Sequence, residues 1–332
     1  MEFLDALLAA TFLGKAAWIW VLFLGIVAAL LAFDLGVLHR TNREIGVRES
    51  LWLSAGYVGV AMAFGGWVWW YLGSESGILF LTGFLIEKSL SLDNVFVIAL
   101  IFGYFAVPRR FHYRVLFWGI LGAIVLRGVM IGLGAALVEQ FSWILWIFGA
   151  FLLFSGAKML FMGDHSPNIA DNVLLRFLKR RLPITEDFAD GRFWVRAPDP
   201  ATGTVVRYAT PLFLALCMVE FADLIFAIDS VPAIFAITTD PYIVYTSNIF
   251  AILGLRALFF ALAAMIHRFA YLKYALALVL IFIAGKIFYA QIWGKPDPAI
   301  SLAVTFTLIV SGIVFSLLRS NANRRATSTG KA

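Results

Sequence analysis

Two stretches of this chain set acids, amides and hydroxyls where almost every neighbour is apolar. FLIEKSLSLDNVFVIALIF, from Phe84, carries Glu87, Ser91, Asp93 and Asn94. MVEFADLIFAIDSVPAIFAIT, from Met218, carries Glu220, Asp223, Asp229 and Ser230. Carboxylate, amide, hydroxyl and carbonyl oxygens are the ligands of hard divalent cations such as Mn²⁺, Ca²⁺ and Mg²⁺. Zn²⁺ or Cu⁺ would want thiolates or clustered imidazoles. Cys217 is the one cysteine, and His39, His112, His165 and His267 are scattered.

Spacing adds geometry. Glu87, Ser91 and Asn94 fall at i, i+4, i+7 and line one helix face, and Glu220, Asp223 and Ser230 make the matching stripe. Asp93 and Asp229 sit about 100° away. Either they serve a neighbouring helix or the helix is broken there. Pro232 favours a break in the second stretch, because it offers no N–H to the Ile228 carbonyl. Phe96 stands at the matching place in the first stretch, where a milder distortion is expected.

The elements that must hold these residues are membrane spans. The chain has 332 residues, 62% hydrophobic and 14% charged. That excess of apolar side chains fits lipid-facing helices rather than a soluble core. The fold class expected is all-α, a polytopic transmembrane bundle of about nine spans. They fall near 16–38, 51–72, 78–104, 115–137, 142–162, 211–236, 246–267, 273–293 and 298–318. HRTNREIGVRES, PRRFHYR, LLRFLKRR, HRFAYLKY and the C-terminal SLLRSNANRRATSTGKA hold most of the basic residues. The alternate connections hold almost none, so the N-terminus is expected outside and the C-terminus in the cytoplasm of a cell whose inner (plasma) membrane holds the chain. The N-terminal MEFLDALLAATFLGK lacks a basic n-region and is expected to be retained. The net charge of +6 belongs to topology, and nucleic-acid binding has little support. The eleven tryptophans, several in GGWVWWYLG, read as interfacial anchors.

The two stretches belong to a longer repeat. Laying Asp93 on Asp229 puts Glu87 on Asp223 and Asn94 on Ser230. In the next span AIVLRGVM, with Arg127, matches ILGLRALF, with Arg256; in the one after, FLLFSGAKMLF, with Lys158, matches LIFIAGKIFY, with Lys286. Spans three to five thus resemble spans six to eight. Three is odd, so the second copy enters from the opposite side, an inverted 3+3 repeat with a substrate site expected near the midplane. The chain divides into two N-terminal spans (1–75), a first copy (76–162), a cytoplasmic insert (163–209), a second copy (210–295), and a last span with a basic tail (296–332). In the insert, NIADNVLLRFLKRR is expected to form an amphipathic helix with Leu and Phe on the membrane surface, and GRFWVRAPDPATGTVVRYATP a hairpin.

A charged side chain at the bilayer centre costs about 3 kcal/mol on insertion scales. Glu87, Asp93, Glu220, Asp223 and Asp229 are all expected inside spans. One reading has them paired with Arg127, Arg256, Lys158 and Lys286, gluing the bundle. The other has them handling an ion, and two symmetric clusters favour it. Arg127 and Arg256 are expected as clamps on the acids; Lys158 and Lys286 as tethered cations that take a carboxylate when a metal has left. Asp34, near the end of the first span, is expected to pair with Arg40 or a nearby lysine, or to serve ion entry.

EKSLSLDNVFVIALIF, VLFWGILGAIVLRGVMI, VEFADLIFAIDSVPAIFAIT and TSNIFAILGLRALFF closely resemble the TerC family of integral membrane proteins, and its Alx-type branch in particular. The resemblance runs from FDLGVLHR to the last span, with Ala222 standing where many relatives are expected to have Thr. The family takes its name from tellurium resistance, and its Alx-type members are implicated in manganese export. The resemblance therefore implies a role in Mn²⁺ homeostasis. It carries over Glu87, Asp93, Asn94, Glu220, Asp223, Asp229 and Ser230 as the functional acids and their partners.

The expectation is a secondary transporter, not an enzyme, that exports Mn²⁺ ahead of Ca²⁺ or Mg²⁺, in partial exchange for protons and with no organic cofactor. No GxxxxGK[ST] phosphate loop occurs. Its partners are the divalent ion and membrane lipid; the pattern is also compatible with an oligomer. The rivals are a membrane-bound redox modulator and a scaffold that supports metal loading or insertion of other membrane proteins.

Overall fold

A computed structural model describes residues 10–38, 47–141, 143–161, 169–198, 203–263, 272–294 and 296–329. A short hairpin, β1 (Thr11–Phe12) with β2 (Lys15–Ala16), precedes α1 (Ala17–Leu38). Then come α2 (Val47–Leu72), α3 (Ser74–Tyr104), α4 (Arg109–Gln140) and α5 (Ile144–Phe161). The insert holds α6 (Val173–Arg181) and the antiparallel pair β3 (Trp194–Pro198) and β4 (Val205–Ala209). The chain continues with α7 (Pro211–Phe235), α8 (Pro241–Leu253), α9 (Leu255–Ala263), α10 (Leu272–Trp293) and α11 (Pro298–Thr329).

Local chemistry sets several of these boundaries. Thr210 and Asp240 cap the first turns of α7 and α8 with side-chain oxygens, each followed by a proline whose missing N–H costs nothing there. Lys15 reaches from the N-terminal hairpin to Asp240 at 3.0 Å. Helices α2 and α4 begin earlier than the expected spans, because polar first turns such as VRES and RRFHY are helical without being apolar.

Eight helical segments among the described residues are long and apolar enough to cross a membrane, with α8 and α9 counted as one. The expected third span is the 31-residue α3, which carries Glu87, Lys88 and Asp93 near its middle and is not one of the eight. The α8–α9 segment is the axis of the bundle: 83% of its most apolar stretch is buried, against 44% or less for the other seven. Helix α3 packs along α8, α4 along α7, and α5 along α10. Phe23, Phe64, Phe80, Tyr242 and Phe250 form an aromatic core between α1, α2, α3 and α8. Trp52, Trp70, Trp143 and Trp293 are exposed, as lipid anchors would be.

Two expectations are corrected. Helix α7 runs unbroken through Pro232 and ends at Phe235. Proline removes only one hydrogen bond there, a turn before the helix stops. The interruption lies instead in the next span, at Gly254, where φ −84° and ψ 5° end α8 before α9 begins. In the insert, Asn172 caps α6. Leu174, Leu175 and Leu178 pack against the end of the bundle, so only Val173 and Phe177 face outward as expected of the apolar stripe. The bundle end supplies apolar side chains that the sequence pattern could not assign.

Candidate functional site

Arg127 on α4 is wholly buried, at 0% exposure. Its guanidinium gathers acids from both motif helices. Nη1 pairs with Glu87 of α3 and donates at 2.8 Å to Asn248 Oδ1 of α8. Nη2 and Nε donate to the two carboxylate oxygens of Asp223 on α7, at 2.8 and 3.3 Å. Planar and always charged, arginine suits such a fork. Two carboxylates around one guanidinium leave a negative excess when both are ionised.

Beside this clamp lies a cavity of about 30 Å³. Asn94 of α3, Asp223 of α7 and Arg256 of α9 line it, with Ile98, Ile120 and Phe226 among its apolar walls. That volume admits one or two water-sized bodies. Asn94 is 4% exposed, and its Oδ1 has no hydrogen-bond partner among the described residues. One turn before Asp223, and beside the cavity rather than in its lining, Glu220 Oε2 is also buried without a partner among the described residues. A Cβ at Gly122 of α4 would fall on the Glu220 carboxylate, so glycine is what admits it. Gly119 and Ala123, the neighbours of Gly122 on that helix, line the cavity. An orphaned buried acceptor costs about 1–3 kcal/mol and calls for a ligand or another explanation. Oxygen acceptors beside a negative excess fit a hard cation.

A second buried ion pair stands on the far wall. Arg256 Nη2 pairs with Asp34 of α1 and lies 3.3 Å from the Asp34 carbonyl. Tyr57 of α2 hydrogen-bonds the same carboxylate. Arg256 was expected on the motif acids and Asp34 on a neighbour in sequence; the structure joins them across 222 positions. Arg40 lies outside the described residues.

Other expected residues lie elsewhere. Asp229 faces α5, where Ser155 Oγ donates to it at 3.1 Å and Lys158 is near enough to interact. Of the two alternatives for that residue, it serves a neighbouring helix. Ser230 is buried with its Oγ unpartnered among the described residues, and it does not line the cavity. Lys286 is half-buried on α10. Asp93 lies on α3, and its side chain is outside the described residues. Among the described residues no three His, Cys, Asp or Glu side chains form a ready metal cage. Asn248, Lys88 and Gly254 were missed as site residues. Lys88 Nζ donates at 3.1 Å to the Ala251 carbonyl, where α8 ends. Its signal was a lysine inside an apolar motif beside Glu87; Asn248 and Gly254 gave none.

Fold and site together define a polytopic helical membrane protein with buried ion pairs and a mostly apolar internal cavity that Asn94, Asp223 and Arg256 reach. The chain belongs to the TerC family of integral membrane proteins, whose family model matches residues 72–326. It is 44% identical over 302 residues to an uncharacterised membrane protein of Myxococcus xanthus, covering 91% of this chain and 92% of that one. An uncharacterised membrane protein of Rickettsia bellii is 45% identical over 302 residues, covering 91% and 98%. The Escherichia coli K12 protein named "Putative membrane-bound redox modulator Alx" is 44% identical over 307 residues, covering 90% and 94%. No solved structure matches the chain.

Proposed function

We propose that this chain is a secondary transporter exporting a divalent cation, Mn²⁺ ahead of Ca²⁺ and Mg²⁺, across the inner (plasma) membrane. The cavity shared by Asn94 and Asp223, with the orphaned oxygens of Asn94 and Glu220, carries this reading. Glu220, Asp223 and Asn94 hold the ion, and Arg127 fixes Asp223 and Glu87 in place. The packing supports an inverted repeat: each helix of α3–α5 lies along a helix of α7–α10, first against second, second against first, third against third. In this reading α3 is the ninth span, its Glu87 and Lys88 satisfied within the bundle, with the N-terminus outside and the C-terminus in the cytoplasm. Moving a double charge outward against 100 mV costs about 4.6 kcal/mol, which proton entry can offset.

Purified protein in liposomes tests this. Wild type is expected to carry Mn²⁺ with no partner protein, and Glu220→Gln to lower the flux at least tenfold with an unchanged melting temperature. Gly122→Ala should act the same way more weakly, because its methyl group displaces the Glu220 carboxylate. Absent wild-type flux, or equal flux in Glu220→Gln, ends the proposal. The second reading is a membrane-bound redox modulator or a scaffold supporting metal loading, after the name of the Escherichia coli relative. Cys217, half-buried on α7, is the one thiol for redox chemistry. Loss of activity in Cys217→Ser would favour that reading.

A further inference from the structure

Export through this cavity leaves Arg256 without a task, yet Arg256 is 3% exposed and lines the same cavity as Asp223. The match between the two copies defines an equivalent place for it. Arg256 corresponds to Arg127, Asp223 to Glu87, and Gly119 to Asn248. Arg127 holds the acid of its own copy, the acid of the other copy, and Asn248. The equivalent place for Arg256 would be bounded by Asp223 and Gly119, and both line the cavity. The glycine leaves space where the other copy has an amide. Arg256 instead turns away to Asp34 on α1, which lies outside the repeat and does not line the cavity. Its helix, α9, begins just past the interruption at Gly254, so it is not one continuous helix with α8.

The geometry points to Arg256 as a tethered counter-cation: parked on Asp34 while the cavity holds its ion, and crossing to Asp223 when the ion leaves. This rests on the export reading and deepens it. The guanidinium offsets part of the charge that the departing ion no longer neutralises, so the carboxylates are not left bare in a low-dielectric interior. It also opposes rebinding from the side just vacated. Guanidinium and divalent ion compete for one carboxylate, so whatever favours Arg256 on Asp34 also favours ion binding, by at most the same factor. Asp34 therefore tunes the affinity of a site it does not touch.

Mn²⁺ affinity is measured by calorimetry on purified full-length protein in detergent, with Mn²⁺-dependent melting temperature as a second readout. Asp34→Asn is expected to weaken Mn²⁺ binding at least tenfold, because Arg256 loses its parking place and moves onto Asp223. Asp34→Asn with Arg256→Gln is expected to bind within threefold of wild type, or more tightly, because the competitor is gone. A purely structural ion pair would change the metal-free melting temperature in both and leave affinity unmoved. Wild-type-like affinity in Asp34→Asn, or no recovery in the double variant, overturns the proposal while wild-type binding keeps the export reading. No binding by wild type overturns both. Where Asp34→Asn does not fold, the double variant decides: affinity at or above wild type supports the proposal, and a tenfold loss overturns it.

Discussion

Replacing Arg127 with methionine is expected to leave little folded protein. Arg127 is fully enclosed and joins α3, α7 and α8 to α4 through Glu87, Asp223 and Asn248. Removing it leaves the Glu87 and Asp223 carboxylates without their shared countercharge in a largely buried setting. Breaking a buried pair from one side costs about 3–5 kcal/mol, and here two acids lose one partner. Whole proteins are stable by only about 5–15 kcal/mol. Arg127→Lys should rescue little, because a single ammonium cannot reproduce the fork on both Asp223 oxygens while reaching Glu87 and Asn248. Arg127→Met combined with Glu87→Gln and Asp223→Asn removes all three charges and should recover most of the folded yield. Monodisperse protein by size-exclusion chromatography in detergent, with melting temperature, reads the series. A single Arg127→Met variant that melts with wild type would refute the clamp.

The clamp also shows what the sequence could convey. That Glu87, Asp223 and Arg127 belong together was legible, because lipid tolerates none of them alone and the repeat marks each twice. Which acid each arginine would choose was not. Arg256 and Asp34 stand 222 positions apart, and only the tertiary fold brings them together. Helix α1 lies outside the two matching sequence stretches, so the match that pointed to the other charges gave it no partner. Span positions were legible because hydropathy is summed over some twenty residues. Breaks were not, since Pro232 bends nothing enough to end α7 while Gly254, which carries no side-chain signal, ends α8. The partner of Lys88 was not legible either: it is a helix end, the Ala251 carbonyl, and helix ends within a span are invisible to a hydropathy window.

That helix end yields the second large effect expected. Where α8 stops, the usual i→i+4 donors run out and backbone carbonyls need other partners. Lys88 supplies one, donating to the Ala251 carbonyl at 3.1 Å from the neighbouring α3. Gly254 makes room for it: a Cβ there would stand 3.0 Å from Lys88 Nζ and 3.1 Å from Tyr57 Cβ. A larger side chain must push aside the ammonium, the tyrosine, or both. A hydrogen bond from a charged donor is worth about 1.5–3 kcal/mol, and overpacking adds about 1–3 kcal/mol. Gly254→Leu should therefore lose roughly 3 kcal/mol or more of stability by these two terms. The same change at Gly132, whose Cβ direction meets nothing within 4 Å, should stay within about 0.5 kcal/mol. On a Lys88→Met background the loss from Gly254→Leu should shrink, because the displaced hydrogen bond is already gone and only packing remains. Melting temperatures of the four proteins of the cycle and of Gly132→Leu, in one detergent, read the result. Equal losses at Gly254 and Gly132, or an undiminished loss on the Lys88→Met background, would mean that Lys88 does not cap the interrupted helix.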